Sequence, residues 1–241
     1  MILIPSKRVL SHFFLVAGLA LAKVGFLSGQ DAEASAKQSA LPAVELDIPY
    51  AEGGDQQKLD LYLPEKKGFA TIVFTYGGGW HAGSRKSVTP IGEKFQKLGF
   101  GCALLSHRLS PKDTFPAQIE DVASAFAWIK MNIADKGGDP TQVFLVGHSS
   151  GAHLSLLLAT DAKYLAKHQL KPPDIAGVIG LSPPVDLEPR KDGSGFGDAL
   201  MGGRGADAFS RDATVMKDAS PFQHISKDLP PVLLIDRKSV V

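Results

Sequence analysis

Two short stretches near residue 50 alternate hydrophobic and polar residues. VELDIPY covers residues 44–50 and KLDLYLP covers residues 58–64, with the turn formers AEGGDQQ between them. Alternation on both sides of a turn predicts an antiparallel strand pair with one buried face. The residues that we expect on that face are Val44, Leu46, Ile48, Tyr50, Leu59, Leu61 and Leu63.

The pattern then changes to continuous apolar runs separated by stretches with helical spacing. The runs, typical of strands buried on both faces, are ATIVFTYG, FGCALLSHR, QVFLVG, IAGVIGLSPP and PPVLLI. The helical stretches are IGEKFQKLG, FPAQIEDVASAFAWIKMNIADKG and SGAHLSLLLATDA. Repeated alternation of this kind predicts an α/β fold, with a mostly parallel central sheet and helices on both faces. Residues 188–217 lack periodicity, so we expect loops or short helices there.

The first 36 residues have the pattern of a secretory signal peptide. Two basic residues precede a short apolar stretch, and small residues follow it at Ala32, Ala34 and Ala36. We expect cleavage between about Gly29 and Ala36, a secreted or periplasmic protein and no stable membrane insertion afterwards. The alternative is an uncleaved membrane anchor. Residues 37–43 read as a linker.

The charge balance and the cysteine content argue against two classes of function, nucleic-acid binding and metal binding through cysteine. Lys and Arg number 26 and Asp and Glu 25, so the chain offers no basic footprint for nucleic acid. The single cysteine, Cys102, lies in an apolar run and favours a buried core residue over a metal ligand. We expect no metal site and no cofactor.

The stretch VFLVGHSSGAHLS, residues 143–155, predicts a strand, a tight turn and a helix, with Ser149 at the tip. Glycines at 147 and 151 allow the sharp turn that exposes a serine nucleophile. The alternative is a plain strand-to-helix glycine turn. A second run, Gly77 to Gly79, follows the buried strand 70–76 and could present backbone amides to an oxyanion. No G-K-S/T follows it, so a phosphate-binding loop is disfavoured.

These motifs resemble the α/β-hydrolase fold, and within it the secreted carboxylesterase and acetylesterase group with H-G-G-G-W and G-x-S-x-G motifs. The resemblance covers Val44 to Ile235. It implies that Ser149 is the nucleophile, that the amides of Gly78, Gly79 and Ser150 form the oxyanion hole, and that Trp80 and His81 line the pocket rim. Two positions depart from the family pattern. Tyr76 stands where the family has histidine, and His107 where it has tyrosine.

The family orders its triad as serine, acid, histidine, with the acid after the strand PPVLLI. Residues 236–241, DRKSVV, do not match the family there but match a translated sequencing adaptor. We therefore expect an artefactual tail, an incomplete hydrolase domain at 44–235, a triad acid and base absent from this chain, and weak activity. The alternative is a genuine end with Asp236 as the acid. The other histidines considered, which are His81, His148, His153, His168 and His224, read as structural or rim residues.

The sequence therefore predicts an exported serine hydrolase that cleaves carboxylic esters through an acyl-enzyme on Ser149. By resemblance its substrate is a small-molecule or polysaccharide ester carrying an acetyl, feruloyl or other small acyl group. Two alternatives stay open: a non-catalytic binding protein with the same fold, and a peptidase of the prolyl-oligopeptidase type.

Overall fold

The structure, a computed structural model, describes residues 43–236, which lie in one compact unit. The predicted signal peptide lies outside the described residues. So do all but the last residue of the predicted linker and all but the first residue of the predicted tail. None of the helices within residues 43–236 is long and apolar enough to cross a membrane.

Strands and helices follow in the predicted order. The strands are β1 (Ala43–Pro49), β2 (Lys58–Leu63), β3 (Phe69–Thr75), β4 (Gly101–Leu105), β5 (Gly138–His148), β6 (Gly177–Leu181) and β7 (Val232–Ile235). The α-helices are α1 (Thr89–Lys97), α2 (Ala117–Asn132), α3 (Ser150–Thr160), α4 (Ala162–Ala166), α5 (Phe196–Met201) and α6 (Ala213–Asp218). Short 3-10 helices cover 54–57, 85–88, 172–174, 204–209 and 221–224. The aperiodic stretch 188–217 thus consists of loops and short helices, as expected.

Within the described residues the strands form a seven-stranded sheet in the order β1-β2-β4-β3-β5-β6-β7. The strands β4, β3, β5, β6 and β7 pair in parallel, while β2 pairs antiparallel with both β1 and β4. The predicted α/β architecture is confirmed. Because β3 and β5 are parallel neighbours, the loops that follow them meet at one edge of the sheet.

The helices cover both faces of the sheet. One apolar cluster, which α1 covers, contains Tyr62, Ile72, Phe74 and Leu104. The larger cluster lies on the opposite face, under α2 and α3. In α2 the residues at the predicted helical spacing are all at most 1 % exposed, namely Ile119, Val122, Ala123, Phe126 and Ile129.

The first strand departs from the prediction. Val44 and Leu46 are 47 % and 59 % exposed, although alternation placed them on a buried face. The pairing register of β1 with β2 shifts between Glu45 and Ile48, and Asp47 has a positive φ of 58°. Such a bulge re-aims side chains on an edge strand. In contrast, β2 lies between two strands and buries both its faces.

A buried arginine joins the antiparallel strands to the chain that follows the glycine run. Arg85 is fully buried, and its guanidinium donates to carboxylates of Asp47, Asp55 and Asp60 and to the hydroxyl of Ser106. Its Nε lies 3.0 Å from Oδ1 of Asp60, which is itself buried. A buried charge is stable only when it is paired and hydrogen-bonded. Through Arg85 the cluster links Asp47 of β1 and Asp60 of β2 to Ser106, the residue after β4.

Candidate active site

Ser149 lies at the turn between β5 and α3, in a conformation that few non-glycine residues adopt. Its φ is 51° and its ψ is −121°. The two flanking glycines explain how the turn closes. A Cβ on Gly147 would lie 2.4 Å from the carbonyl oxygen of Gly151, and one on Gly151 would lie 2.2 Å from the carbonyl oxygens of Thr75 and Tyr76. The strained turn is therefore possible only with glycine at both positions, which is the geometry expected of a nucleophile elbow.

The glycine run lies beside Ser149. It begins where β3 ends, and a Cβ placed on Gly77 would lie 3.0 Å from the Cβ of Ser149. Gly78 and Gly79 have positive φ values of 152° and 59°. The loop is thus a tight turn packed against the start of α3. The two motifs that the sequence analysis singled out therefore meet in space.

One of the expected oxyanion donors is already engaged. The amide of Gly78 donates to the hydroxyl oxygen of Ser150 at 3.0 Å. The amide of Gly79, in contrast, has no acceptor within residues 43–236. The amide of Ser150 belongs to the first turn of α3, where N–H groups have no acceptor within the helix. The arrangement thus leaves two amides, rather than three, to face a ligand.

Trp80 is a core residue and not a rim residue, which corrects the expectation. It is 3 % exposed, and its indole N–H donates to Nδ1 of His153 at 3.2 Å. Nε2 of His153 in turn donates to the carbonyl oxygen of Ala219 at 2.8 Å. Trp80 also makes an edge contact with Phe209, at 5.0 Å between ring centroids. The indole is therefore held inward by His153 of α3 and by Phe209 of the 3-10 helix 204–209.

His153 serves this packing as a neutral imidazole. It is fully buried, and burial lowers its pKa from 6.5 to about 4. Since Nδ1 accepts from Trp80, the proton is on Nε2. This agrees with its reading as a structural residue rather than a base.

Tyr76 and His107, the two residues that depart from the family pattern, contact each other. The rings of Tyr76 and His107 stack with centroids 4.9 Å apart and an angle of 16° between their planes. Tyr76 follows β3 directly, His107 follows β4 by two residues, and Thr75 pairs with Leu105 in the parallel register. Sequence reasoning noted both residues without pairing them. The signal was their position just beyond the ends of two consecutive strands of a sheet predicted to be mostly parallel.

Ser149 opens into a cavity of about 430 Å³. One part of the cavity wall is apolar and another part is charged. The residues that line the cavity are Ser149, Ser182, Pro183, Pro184, Val185, Asp186, Glu188, Arg190, Ser194, Gly195, Phe196 and Asp236. His81 is not among them, and its Nδ1 lies 2.9 Å from the carbonyl oxygen of Gly79. Within residues 43–236 no histidine lines this cavity, whereas Asp236, directly after β7, does. The absence of an acid and a base from the chain stays a prediction.

One cluster away from that cavity contains possible metal ligands. Single ligand atoms of Asp161, Asp218 and His224 lie within 4.8 Å of one another. The ammonium group of Lys163 lies 2.8 Å from Asp161 and 3.0 Å from Asp218. His224 contacts the backbone oxygen of Asp218 at 2.7 Å. Because the ammonium group of Lys163 pairs with both carboxylates, the cluster reads as an ion-pair network that joins α4 to α6.

Comparison with known proteins agrees with this geometry. The chain is similar to Esterase LipQ of Mycobacterium tuberculosis, with 38% identity over 48% of this chain and 29% of the relative. It is also similar to a probable carboxylic ester hydrolase, LipM, of the same organism, with 30% identity over 78% of this chain and 46% of the relative. The chain thus spans less than half the length of these two relatives.

Solved structures show the same fold. A truncated carbohydrate esterase from gut microbiota superimposes with a TM-score of 0.69 at 25% identity, covering 80% of this chain and 76% of that one. Esterase B from Lactobacillus rhamnosis superimposes with a TM-score of 0.67 at 22% identity, covering 94% and 74%. The model of the BD-FAE family matches residues 59–239. The chain therefore belongs to the BD-FAE family, a family of α/β-hydrolase serine esterases.

Proposed function

We propose that the protein hydrolyses carboxylic esters with Ser149 as the nucleophile. The observation that carries the proposal is the strained position of Ser149 at the strand-to-helix turn, beside the glycine run and open to a cavity. The relatives named as esterases give independent support for the class of reaction.

The reaction proceeds in two steps. The hydroxyl oxygen of Ser149 attacks the ester carbonyl, its proton passes to a general base, and the carbonyl oxygen becomes an oxyanion near the amides of Gly79 and Ser150. The C–O bond to the alcohol breaks, and the alcohol leaves with the proton. Water then attacks the acyl-enzyme in the same way and releases the acid. We assign the base to none of the described histidines, since none of them lines the cavity.

For the substrate we propose an ester of a small acyl group, such as acetyl or feruloyl, on a small molecule or a polysaccharide. Pro183, Pro184 and Phe196 offer the cavity an apolar wall suited to an acyl or aryl group. The carbohydrate esterase among the similar structures supports an ester of a carbohydrate.

We also propose that the protein is exported, on the strength of the charged and apolar pattern at residues 1–36. N-terminal sequencing of exported protein should find a new terminus between Gly29 and Ala36. An intact Met1 would contradict cleavage.

The test of the proposed function is p-nitrophenyl acetate hydrolysis by the product of the complete reading frame in the source DNA. We expect Ser149→Ala to abolish turnover while Ser155→Ala, in the helix that follows Ser149, retains it. Equal turnover in Ser149→Ala would refute the proposed function.

A further inference from the structure

We propose that the side chain of Ser150 is a positioning group that holds the glycine run in the geometry of an oxyanion hole. This inference rests on the proposed function, because it assigns a role within the same site. It concerns the hydroxyl of Ser150 and is separate from any role of its backbone amide.

The hydroxyl of Ser150 joins two elements that are distant in sequence. It accepts a hydrogen bond from the amide of Gly78 at 3.0 Å, across 72 residues of chain. Ser150 is 2 % exposed and is the first residue of α3, so its side chain is fixed by the helix and by the surrounding packing. A rigid acceptor at this place determines where the peptide unit before Gly78 lies.

The next peptide unit is held from its other side. The carbonyl oxygen of Gly78 accepts from the amides of His81 at 3.2 Å and Ala82 at 3.1 Å. That carbonyl and the amide of Gly79 belong to one planar trans unit, so they point in opposite directions. The amide of Gly79 therefore points away from the turn that His81 and Ala82 close. Both peptide units around Gly78 are thus fixed, one by Ser150 and the other by the loop itself.

The contact between Gly78 and Ser150 also decides which amides remain for a substrate. With the Gly78 amide engaged, an oxyanion would be bound by the amides of Gly79 and Ser150. The orientation of the Gly79 amide then depends on the anchor one residue earlier. Since donors must be held ready before charge develops in the transition state, a looser loop should slow the chemical step rather than weaken substrate binding.

Two variants separate this role from a general effect on packing. Ser150→Ala removes the hydroxyl and keeps the backbone amide. Ser155→Ala is the matched control, since Ser155 is buried on the same helix and its hydroxyl donates to the carbonyl oxygen of Gly151. Each variant is made in the product of the complete reading frame and compared with its unmodified form by amide hydrogen exchange at Gly78, by steady-state kinetics on p-nitrophenyl acetate and by inhibition with a trifluoromethyl ketone, whose adduct carries an oxyanion.

Loss of a complete oxyanion-hole donor costs about 10²–10³ in kcat, and a loosened donor should cost less. For Ser150→Ala we expect exchange at Gly78 to quicken about tenfold or more, kcat to fall about tenfold, KM to stay within about twofold and the inhibition constant to rise in step with kcat. Ser155→Ala should change none of these.

Unchanged exchange at Gly78 in Ser150→Ala would overturn the proposal, because the hydrogen bond would then not anchor the loop. Faster exchange with unchanged kcat would overturn it too, because the anchor would then not serve catalysis. Full activity in Ser149→Ala would refute the proposed function and the role with it. In that case, faster amide exchange at Gly78 in Ser150→Ala would still show that the hydroxyl of Ser150 anchors the loop. The failure of the proposed function and the failure of the anchor are therefore distinguishable.

Discussion

Replacing His153 with glutamine tests whether a buried neutral imidazole links the glycine run to the body of the domain. Glutamine can accept from the indole of Trp80 and donate to the carbonyl oxygen of Ala219, as His153 does. It does not titrate. The variant therefore keeps the means to make both hydrogen bonds and removes the proton-binding group.

The magnitude follows from the pKa of His153, which burial lowers from 6.5 to about 4. Between these two pH values the unfolded chain binds a proton at this position and the folded chain does not. Stability from this group is fully present above pH 6.5 and is lost as the pH falls toward 4. At about 1.4 kcal/mol for each pKa unit, His153 should remove about 2 kcal/mol of unfolding free energy between pH 7 and pH 5.

The assay is urea unfolding at pH 7, 6 and 5. We expect the unmodified chain to lose about 2 kcal/mol more over this range than His153→Gln. Ser155→Ala is the control: it should lower stability at every pH and leave the pH dependence of the unmodified chain in place. Burial also lowers the pKa of His107, so some dependence should remain in His153→Gln. Identical pH dependence with and without His153 would refute the buried neutral imidazole.

Two further predictions concern the packing around the site. Gly151→Ala should destabilise the protein by about 3 kcal/mol or prevent folding, because its Cβ would lie 2.2 Å from two carbonyl oxygens. The control is Gly202→Ala, whose Cβ would have its nearest neighbour at 3.7 Å. Equal urea midpoints for the two variants would contradict the tight contact at Gly151. Asp60→Ala should cost about 3 kcal/mol in urea unfolding, because it leaves the buried guanidinium of Arg85 short of a partner. A loss below about 1 kcal/mol, as is usual for exposed pairs, would show that Arg85 does not need Asp60.

Much of the fold could be predicted because the signals are local. The apolar runs and helical spacing fixed the order of strands and helices, and the glycines at 147 and 151 indicated the turn at Ser149. The meeting of the glycine run with Ser149 was expected from the resemblance to the α/β-hydrolase fold, and the parallel pairing of β3 with β5 explains it. The order of the elements and the turn at Ser149, in contrast, need only the chain near the residue concerned.

The contacts that depend on non-local packing were missed. Nothing in the sequence near Trp80 shows that its indole N–H would meet His153 in the core. The engagement of Gly78 by the hydroxyl of Ser150 joins residues 72 positions apart and depends on the pairing register of β3 and β5. The exposure of Val44 and Leu46 results from a bulge in β1, which simple alternation does not reveal.

Among the described residues, the edge strand β7 exposes apolar side chains. Val232, Leu234 and Ile235 are 39 %, 49 % and 47 % exposed. Unpaired apolar edges promote association between chains. The solution size of the 241-residue chain is therefore best determined before its kinetics are compared with those of the product of the complete reading frame.

Covalent capture tests the central claim, that Ser149 is the nucleophile, most directly. The product of the complete reading frame is treated with a fluorophosphonate, digested and mapped by mass spectrometry. We predict one equivalent of phosphonate on Ser149, none on the neighbouring Ser150, and loss of p-nitrophenyl acetate hydrolysis in proportion to labelling. Hydrolysis that persists after full labelling of Ser149, or a label on another residue that tracks the loss of activity, would contradict the account.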